Sequence, residues 1–313
     1  MTSTGSVLQV WACLVFLIPG PVQAQTVTGN SSWLDSSYDY LTSTTDSLAQ
    51  RFDAFFGEVD AERESADSVL RLVGESEWSE DDGTNAKLRL KGKVDLPRLS
   101  HRLSVVFGEE DDYRSDVLPP EGASDGDVGV QYRLIDLARS RLDASIGANA
   151  SLDFRANLRY RFVRPVGERL RFRFTERIYL KEGDGAGSIT RGDLDYRVGE
   201  KGILRFTSDM EYGEETDGTE WGSRISYLHQ LNAREAIGSF AAVSGQTDPG
   251  AQANVYAVGI RYRRNVLRPW IFIEAEPAHL WRRDDEEEPR RGVWALTFRI
   301  EFREEIGNRR ATR

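Results

Sequence analysis

The sequence predicts an all-β fold: a single transmembrane antiparallel β-barrel of about 14 strands, with a range of about 12–16, preceded by a short amphipathic helix. Three observations predict it. Strand-length stretches alternate apolar and polar residues, tight turns alternate with longer polar loops, and aromatic residues gather near strand ends.

In chain order, the first feature is the short apolar run from Val7 to Ile18, followed by Pro19-Gly20-Pro21 and then Val22-Gln23-Ala24. This predicts a cleaved secretory leader over 1–24, because the run is too short to span a membrane and a small residue closes it. The only cysteine, Cys13, lies in that leader, so the mature chain is expected to carry neither disulfides nor a cysteine nucleophile. Residues 25–66 are expected to form a periplasmic helix and a linker. Leu41, Leu48, Phe52 and Phe55 follow one another at spacings of seven, four and three, one stripe of a helix within 33–57. Gly57 is placed to end it, and the charged run 58–64 reads as linker. Two roles follow for such a helix: it packs on or plugs the next domain, or it docks a periplasmic protein partner.

Strands are expected over 67–78, 86–96, 99–108, 127–135, 140–149, 152–163, 169–181, 191–198, 202–213, 219–230, 235–245, 253–263, 269–281 and 292–303, with 304–313 as a periplasmic tail. The hairpin at 152–180 shows the pattern best. Leu152, Phe154, Ala156, Leu158, Tyr160 and Phe162 alternate with Asp153, Arg155, Asn157, Arg159 and Arg161. Leu170, Phe172, Phe174, Ile178 and Leu180 are set against Arg171, Arg173, Thr175 and Arg177. A period of two sends these sets to opposite faces of a sheet. Guanidiniums are not buried without partners, so the basic face meets water or acids.

The connections decide between a soluble core and lipid on the apolar face. Those after even-numbered strands are tight, for example at Pro97-Arg98, Val166-Gly167 and Asn232-Ala233-Arg234. Those after odd-numbered strands are longer and rich in Gly and Asp, at 79–85, 109–126, 182–190, 213–218, 246–252 and 282–291, with Ala150-Ser151 the exception. Trp78, Phe107, Tyr212, Trp221, Tyr256, Trp281 and Trp294 fall toward the long-loop side. Tyr132, Tyr160, Phe162, Tyr196, Tyr227, Tyr262 and Phe302 fall toward the other. An even strand count, one-sided loops and two aromatic girdles predict a barrel in the bacterial outer membrane, amid lipid and lipopolysaccharide. A large periplasmic β-protein would explain the alternation but neither the loops nor the girdles.

Phe52-Asp-Ala-Phe-Phe-Gly-Glu58, Leu96-Pro97 and Arg102-Leu-Ser-Val-Val-Phe-Gly108 resemble segments of a family of uncharacterised proteobacterial outer-membrane proteins. These carry a signal peptide, a helical segment ending in an FFG-like motif, and a barrel. The resemblance covers about the first third of the chain. It implies fold and location, but no activity and no functional residues.

If lipid lies outside, the alternation places Lys87, Arg89, Lys91 and Lys93 in the lumen with Arg155, Arg159, Arg161, Arg171, Arg173 and Arg177. Facing them are Glu75, Glu77, Asp193, Asp195, Asp209, Glu211, Glu274 and Glu276. One reading is a pore with a positive and a negative wall that passes small charged or polar solutes. The other is an interior closed by salt bridges, a non-conducting barrel that serves structure or interaction. Fourteen strands do not decide between them by size.

A net charge of −10 argues against nucleic acid as a partner. No cofactor or metal motif is found. The acidic loops at 109–112 and 284–288 lack EF-hand spacing, and Asp184-Gly185-Ala186-Gly187 reads as a hairpin tip without the Lys-Ser/Thr of a phosphate loop. His101, His229 and His279 fall on the outer phase. An enzyme would need a bulge at Pro277 to turn His279 inward beside Glu276.

Overall fold

The computed structural model describes residues 47–56, 68–96, 99–100, 102–108, 128–149, 151–216, 218–248, 250–283 and 289–306. The expected leader, the linker at 58–64, both acidic loops and most of the C-terminal tail lie outside the described residues.

Fourteen strands form one closed antiparallel barrel: β1 (Ser68–Ser79), β2 (Gly83–Asp95), β3 (Leu103–Phe107), β4 (Val128–Asp136), β5 (Ser140–Ala148), β6 (Phe154–Val166), β7 (Leu170–Lys181), β8 (Gly185–Val198), β9 (Gly202–Gly213), β10 (Thr219–Asn232), β11 (Glu235–Gln246), β12 (Gln252–Asn265), β13 (Ile271–Arg282) and β14 (Arg291–Ile306). Each strand pairs with its chain neighbours. The β1–β14 pairing, from Ser68 opposite Ile306 to Ser79 opposite Ala295, closes the sheet and removes its edges. β14 thus runs past the expected limit at 303, because β1 offers it paired positions as far as Ile306.

Burial follows the period of two and is inverted relative to a soluble protein. Leu88 and Ile146 on the outer phase are 72 % and 67 % exposed, whereas Arg173 and Glu274 on the inner phase are 1 % and 2 % exposed. The outer surface also carries Trp78, Tyr212, Tyr256, Trp281 and Trp294 at one rim, and Tyr132, Tyr160, Tyr196, Tyr227 and Phe302 at the other. Such a continuous apolar exterior is satisfied by lipid, and a closed barrel leaves no backbone group unpaired at an edge. Among the described residues no helix is long and apolar enough to cross a membrane, which says nothing of crossing by strands.

The loop asymmetry is weaker than the sequence suggests. The expected loops at 79–85 and 182–190 shrink to the turns 80–82 and 182–184, and β8 begins at Gly185 instead of residue 191. Positive φ at Gly183 (95°) and Gly185 (76°) lets the chain reverse at once, so the glycine-rich stretch read as a loop is turn and strand. Ala150-Ser151 widens to 149–153, and the asymmetry rests chiefly on 108–127 and 283–290.

Residues 47–56 form a helix, α1. It lies inside the barrel, at the end where the short turns are. Leu48, Ala49, Phe52 and Phe56 pack against Ile203 of β9, Leu228 of β10 and Ala236 of β11. Phe55 meets Phe272 of β13 edge-on at 5.7 Å, and Arg303 of β14 donates from Nη1 to the Ala54 carbonyl at 3.1 Å. The expected stripe thus holds at Leu48 and Phe52, with Phe56 more deeply buried than Phe55, and Leu41 outside the described residues. Burying each large side chain contributes about 1.5–3 kcal/mol, which makes docking worth far more than a ten-residue helix retains alone.

Candidate functional site: the charged lumen

α1 carries one carboxylate into the barrel. Asp53 sits four residues after Ala49, on the face turned to the wall, and is 2 % exposed. Arg205 of β9 donates from Nη2 to its Oδ1 at 2.6 Å, and Arg173 of β7 donates from Nη1 to Oδ2 at 3.3 Å. Arg171 of β7 brings Nη1 within 3.7 Å of the same oxygen. β8, between these strands, supplies the neighbouring acids. Asp195 pairs with Arg205 at 2.5 Å and Arg171 at 3.6 Å, while Asp193 pairs with Arg173 at 2.9 Å and Arg191 at 3.2 Å. Burial pushes the Asp53 carboxyl up, but Arg205, Arg173 and Arg171 together outweigh it and hold it below its ordinary value.

The opposite wall pairs its own charges. Glu274 and Glu276 of β13, Glu301 of β14 and Glu75 of β1 meet Arg261 and Arg263 of β12, Arg299 of β14, Arg71 of β1 and Arg89 of β2. Arg299 bridges Glu75 at 2.5 Å and Glu274 at 2.6 Å, Arg261 reaches Glu276 at 2.6 Å, and Arg263 reaches Glu301 at 2.7 Å. Arg89 joins Glu75 at 2.6 Å, and Arg71 lies 3.5 Å from Glu301. Here α1 contributes rings: Arg261 lies over Phe56 at 5.7 Å and Arg263 over Phe55 at 5.9 Å. α1 therefore touches both β7 and β14, on opposite sides of the barrel, and lies across its cross-section.

The charged residues expected in the lumen all fall on the inward phase, Glu75 (buried) and Glu77 (half-buried) among them. Arg159, Arg171, Arg173, Arg177, Lys93, Asp193, Asp195, Asp209, Glu274 and Glu276 are buried. Lys87, Arg89, Lys91, Arg155, Arg161 and Glu211 are half-buried. With Arg133, also half-buried, Lys87, Arg89, Lys91, Arg155 and Arg161 form a basic, water-accessible strip along β2, β4 and β6. The expected division into a positive and a negative wall is corrected. Arg205, Arg224, Arg261, Arg263 and Arg299 share the inward phase with the acids of β8, β9 and β13, so charges of both signs interleave around the barrel. The same alternation places these arginines inside. Asp53 carried no such signal, because a carboxylate next to a helical stripe usually faces water.

Two further features depart from expectation. The inner face of β11–β14 includes an apolar patch, Phe240, Ala242, Ala257, Ala278, Leu280 and Ala295, with Arg224 stacked over the Phe240 ring at 3.6 Å. Tyr179 of β7 donates to Glu211 of β9 at 2.7 Å by lying across β8 at Gly187, where a Cβ would collide with its ring.

The histidine condition for an enzyme is not met. β13 keeps an unbroken register with β14 through Pro277, so His279 stays on the outer phase, with Trp281 and Trp294 each 4.6 Å from its ring centroid. His229 stacks with Tyr227 on the outside, and His101 lies outside the described residues. No group of residues suited to a metal occurs among the described residues.

Between α1 and the wall lies a cavity of about 30 Å³, lined by Phe56, Arg191, Arg205, Thr207, Arg224, Ser226 and Arg261. That is room for about two waters.

The sequence matches no protein-family model and no curated protein. Solved structures with a similar chain path include the outer-membrane channel DcaP of Acinetobacter baumannii, 12% identical over 76% of this chain and 96% of that one, with a TM-score of 0.45. OccK11 (OpdR) of Pseudomonas aeruginosa is 9% identical over 77% and 96%, with a TM-score of 0.43. The KdgM porin in complex with disordered oligogalacturonate is 4% identical over 74% and 98%, with a TM-score of 0.39.

Proposed function

We propose that the chain, after removal of residues 1–24, is an outer-membrane β-barrel amid lipid and lipopolysaccharide, acting as a passive channel for small charged or polar solutes. The short turns and α1 face the periplasm. One observation carries this reading. Outside, the barrel is apolar and girdled. Inside, β2, β4 and β6 keep a charged strip in contact with water, centred on Lys87, Lys91, Arg155 and Arg161. Interior charge costs little only where water or a counter-charge meets it, so a water-accessible basic strip fits a solute path. α1 fills the cross-section beside β7–β14 and acts as its plug. Docking of a separate partner through α1 is less well supported, because its apolar stripe is already buried in the barrel.

The test is planar-bilayer conductance of refolded 25–313, with and without residues 33–57. The plugged chain should conduct weakly, and the deletion strongly and steadily. Lys91→Glu with Arg161→Glu should then move the reversal potential toward cation preference. Silence from both proteins, each shown to be folded by its heat-modifiable migration, would end the channel reading.

A further inference from the structure

One carboxylate of the plug is held by three arginines of the wall. Asp53 presents a carboxylate to Arg171, Arg173 and Arg205, three guanidiniums that are 3 %, 1 % and 3 % exposed. Arg205 also lines the neighbouring cavity, beside Arg191, Arg224 and Arg261 and the hydroxyls of Thr207 and Ser226. One guanidinium thus belongs both to the clasp that holds α1 and to the lining of a small chamber beside it. We propose that this arginine cluster is a binding site for the carboxylate of a small organic anion, which competes with Asp53 for Arg205 and so releases α1.

The chemistry favours a carboxylate over larger anions. Guanidinium and carboxylate are planar and match two hydrogen bonds at a time, and the group now bound is itself a carboxylate. The place that Asp53 vacates on release lies among three guanidiniums already spaced for one carboxylate. Competition also sets the energetics. A ligand that binds only the released state shifts the equilibrium by its own occupancy, about tenfold at ten times its dissociation constant. Such an anion would unlock the barrel by replacing one carboxylate with another, leaving the β8 acids in place. The proposal rests on the channel reading for what release achieves, while release itself can be followed without conductance.

The experiment uses the full chain with Cys13→Ser and Leu48→Cys. Leu48 is 1 % exposed between α1 and the barrel, so its replacement reports release through its rate of maleimide labelling at pH 7. Succinate should accelerate labelling saturably, by about tenfold. Sodium chloride and sodium phosphate at equal ionic strength should not. In the same chain, Asp53→Asn should label fast without succinate, and Asp53→Glu should restore slow, succinate-dependent labelling. Equal acceleration by all three salts would mean charge screening and overturn the site, as would labelling that succinate leaves unchanged. If succinate frees the thiol but the 33–57 deletion does not conduct, the site stands and the channel reading falls. Strong conductance from the deletion with no succinate effect on labelling gives the reverse.

Discussion

The two walls that α1 touches neutralise their charges in different ways. On β12–β14, β1 and β2, Arg71, Arg89, Arg261, Arg263 and Arg299 meet Glu75, Glu274, Glu276 and Glu301, all supplied by strands. On β7–β9, the clasp joining Arg171, Arg173 and Arg205 draws one of its three carboxylates from the helix. The first network belongs to the barrel and folds with it. The second is completed by a separate element, so it is where a change in charge alters the state of the plug while the barrel stays folded. The apolar contacts of α1 give it affinity, and Asp53 ties that affinity to the charge state of one wall.

That contrast is sharpest where one carboxylate is lost on each side. Glu274→Gln leaves Arg263 and Arg299 short of a buried counter-charge, which costs about 3–5 kcal/mol. It should lower the urea midpoint of barrel unfolding, followed by tryptophan fluorescence and heat-modifiable migration. Asp53→Asn should lower that midpoint by less, because it loosens the docked helix and leaves every strand-borne ion pair in place. Similar midpoint losses in both variants would erase the distinction. A smaller effect tests how tightly β7–β9 is built. Gly187→Ala puts a Cβ into the ring of Tyr179 and breaks its bond to Glu211, for about 1–3 kcal/mol of overpacking. The same midpoint should fall by less than with Glu274→Gln.

The barrel was legible because its signal repeats. Residues 152–180 state the period of two, and the same alternation in the other strands places nearly every lumen charge on its face. Strand limits slipped where glycine allowed an abrupt turn, at Gly183 and Gly185, because loop composition and tight-turn composition are the same there. The pairing of charges was not legible. Period assigns a face, but the partner of Arg299 or Arg205 depends on cross-strand register and on side chains that reach past a neighbouring strand. Asp53 was hidden for a further reason. In a ten-residue helix a carboxylate beside Phe52 reads as solvated until the helix is known to lie inside an arginine-lined wall.

The smallest expected effect in neutral buffer, and the one that isolates the clasp, is its dependence on pH. Asp53 faces Arg171 and Arg173 on β7, Asp193 and Asp195 on β8, and Arg205 on β9. The guanidiniums hold its carboxyl below the ordinary 3.8 despite burial. A carboxyl depressed in the docked state stabilises docking fully above that ordinary value. The contribution fades as pH falls from there through the docked-state value, because the free form takes up the proton more readily than the docked one. Docking should therefore be level from pH 7 to about 5, and weaken only below the ordinary aspartate range of about 3.9. Pepsin reads this once its rate is divided by its rate on an unfolded substrate at the same pH, because release exposes Phe52, Phe55 and Phe56 to cleavage. Between pH 5 and 2, cleavage within 47–56 should accelerate in the intact chain and be fast throughout in Asp53→Asn, while heat-modifiable migration confirms that the barrel persists. A matching pH curve in Asp53→Asn would assign the titration to the wall acids and leave the clasp without its lever.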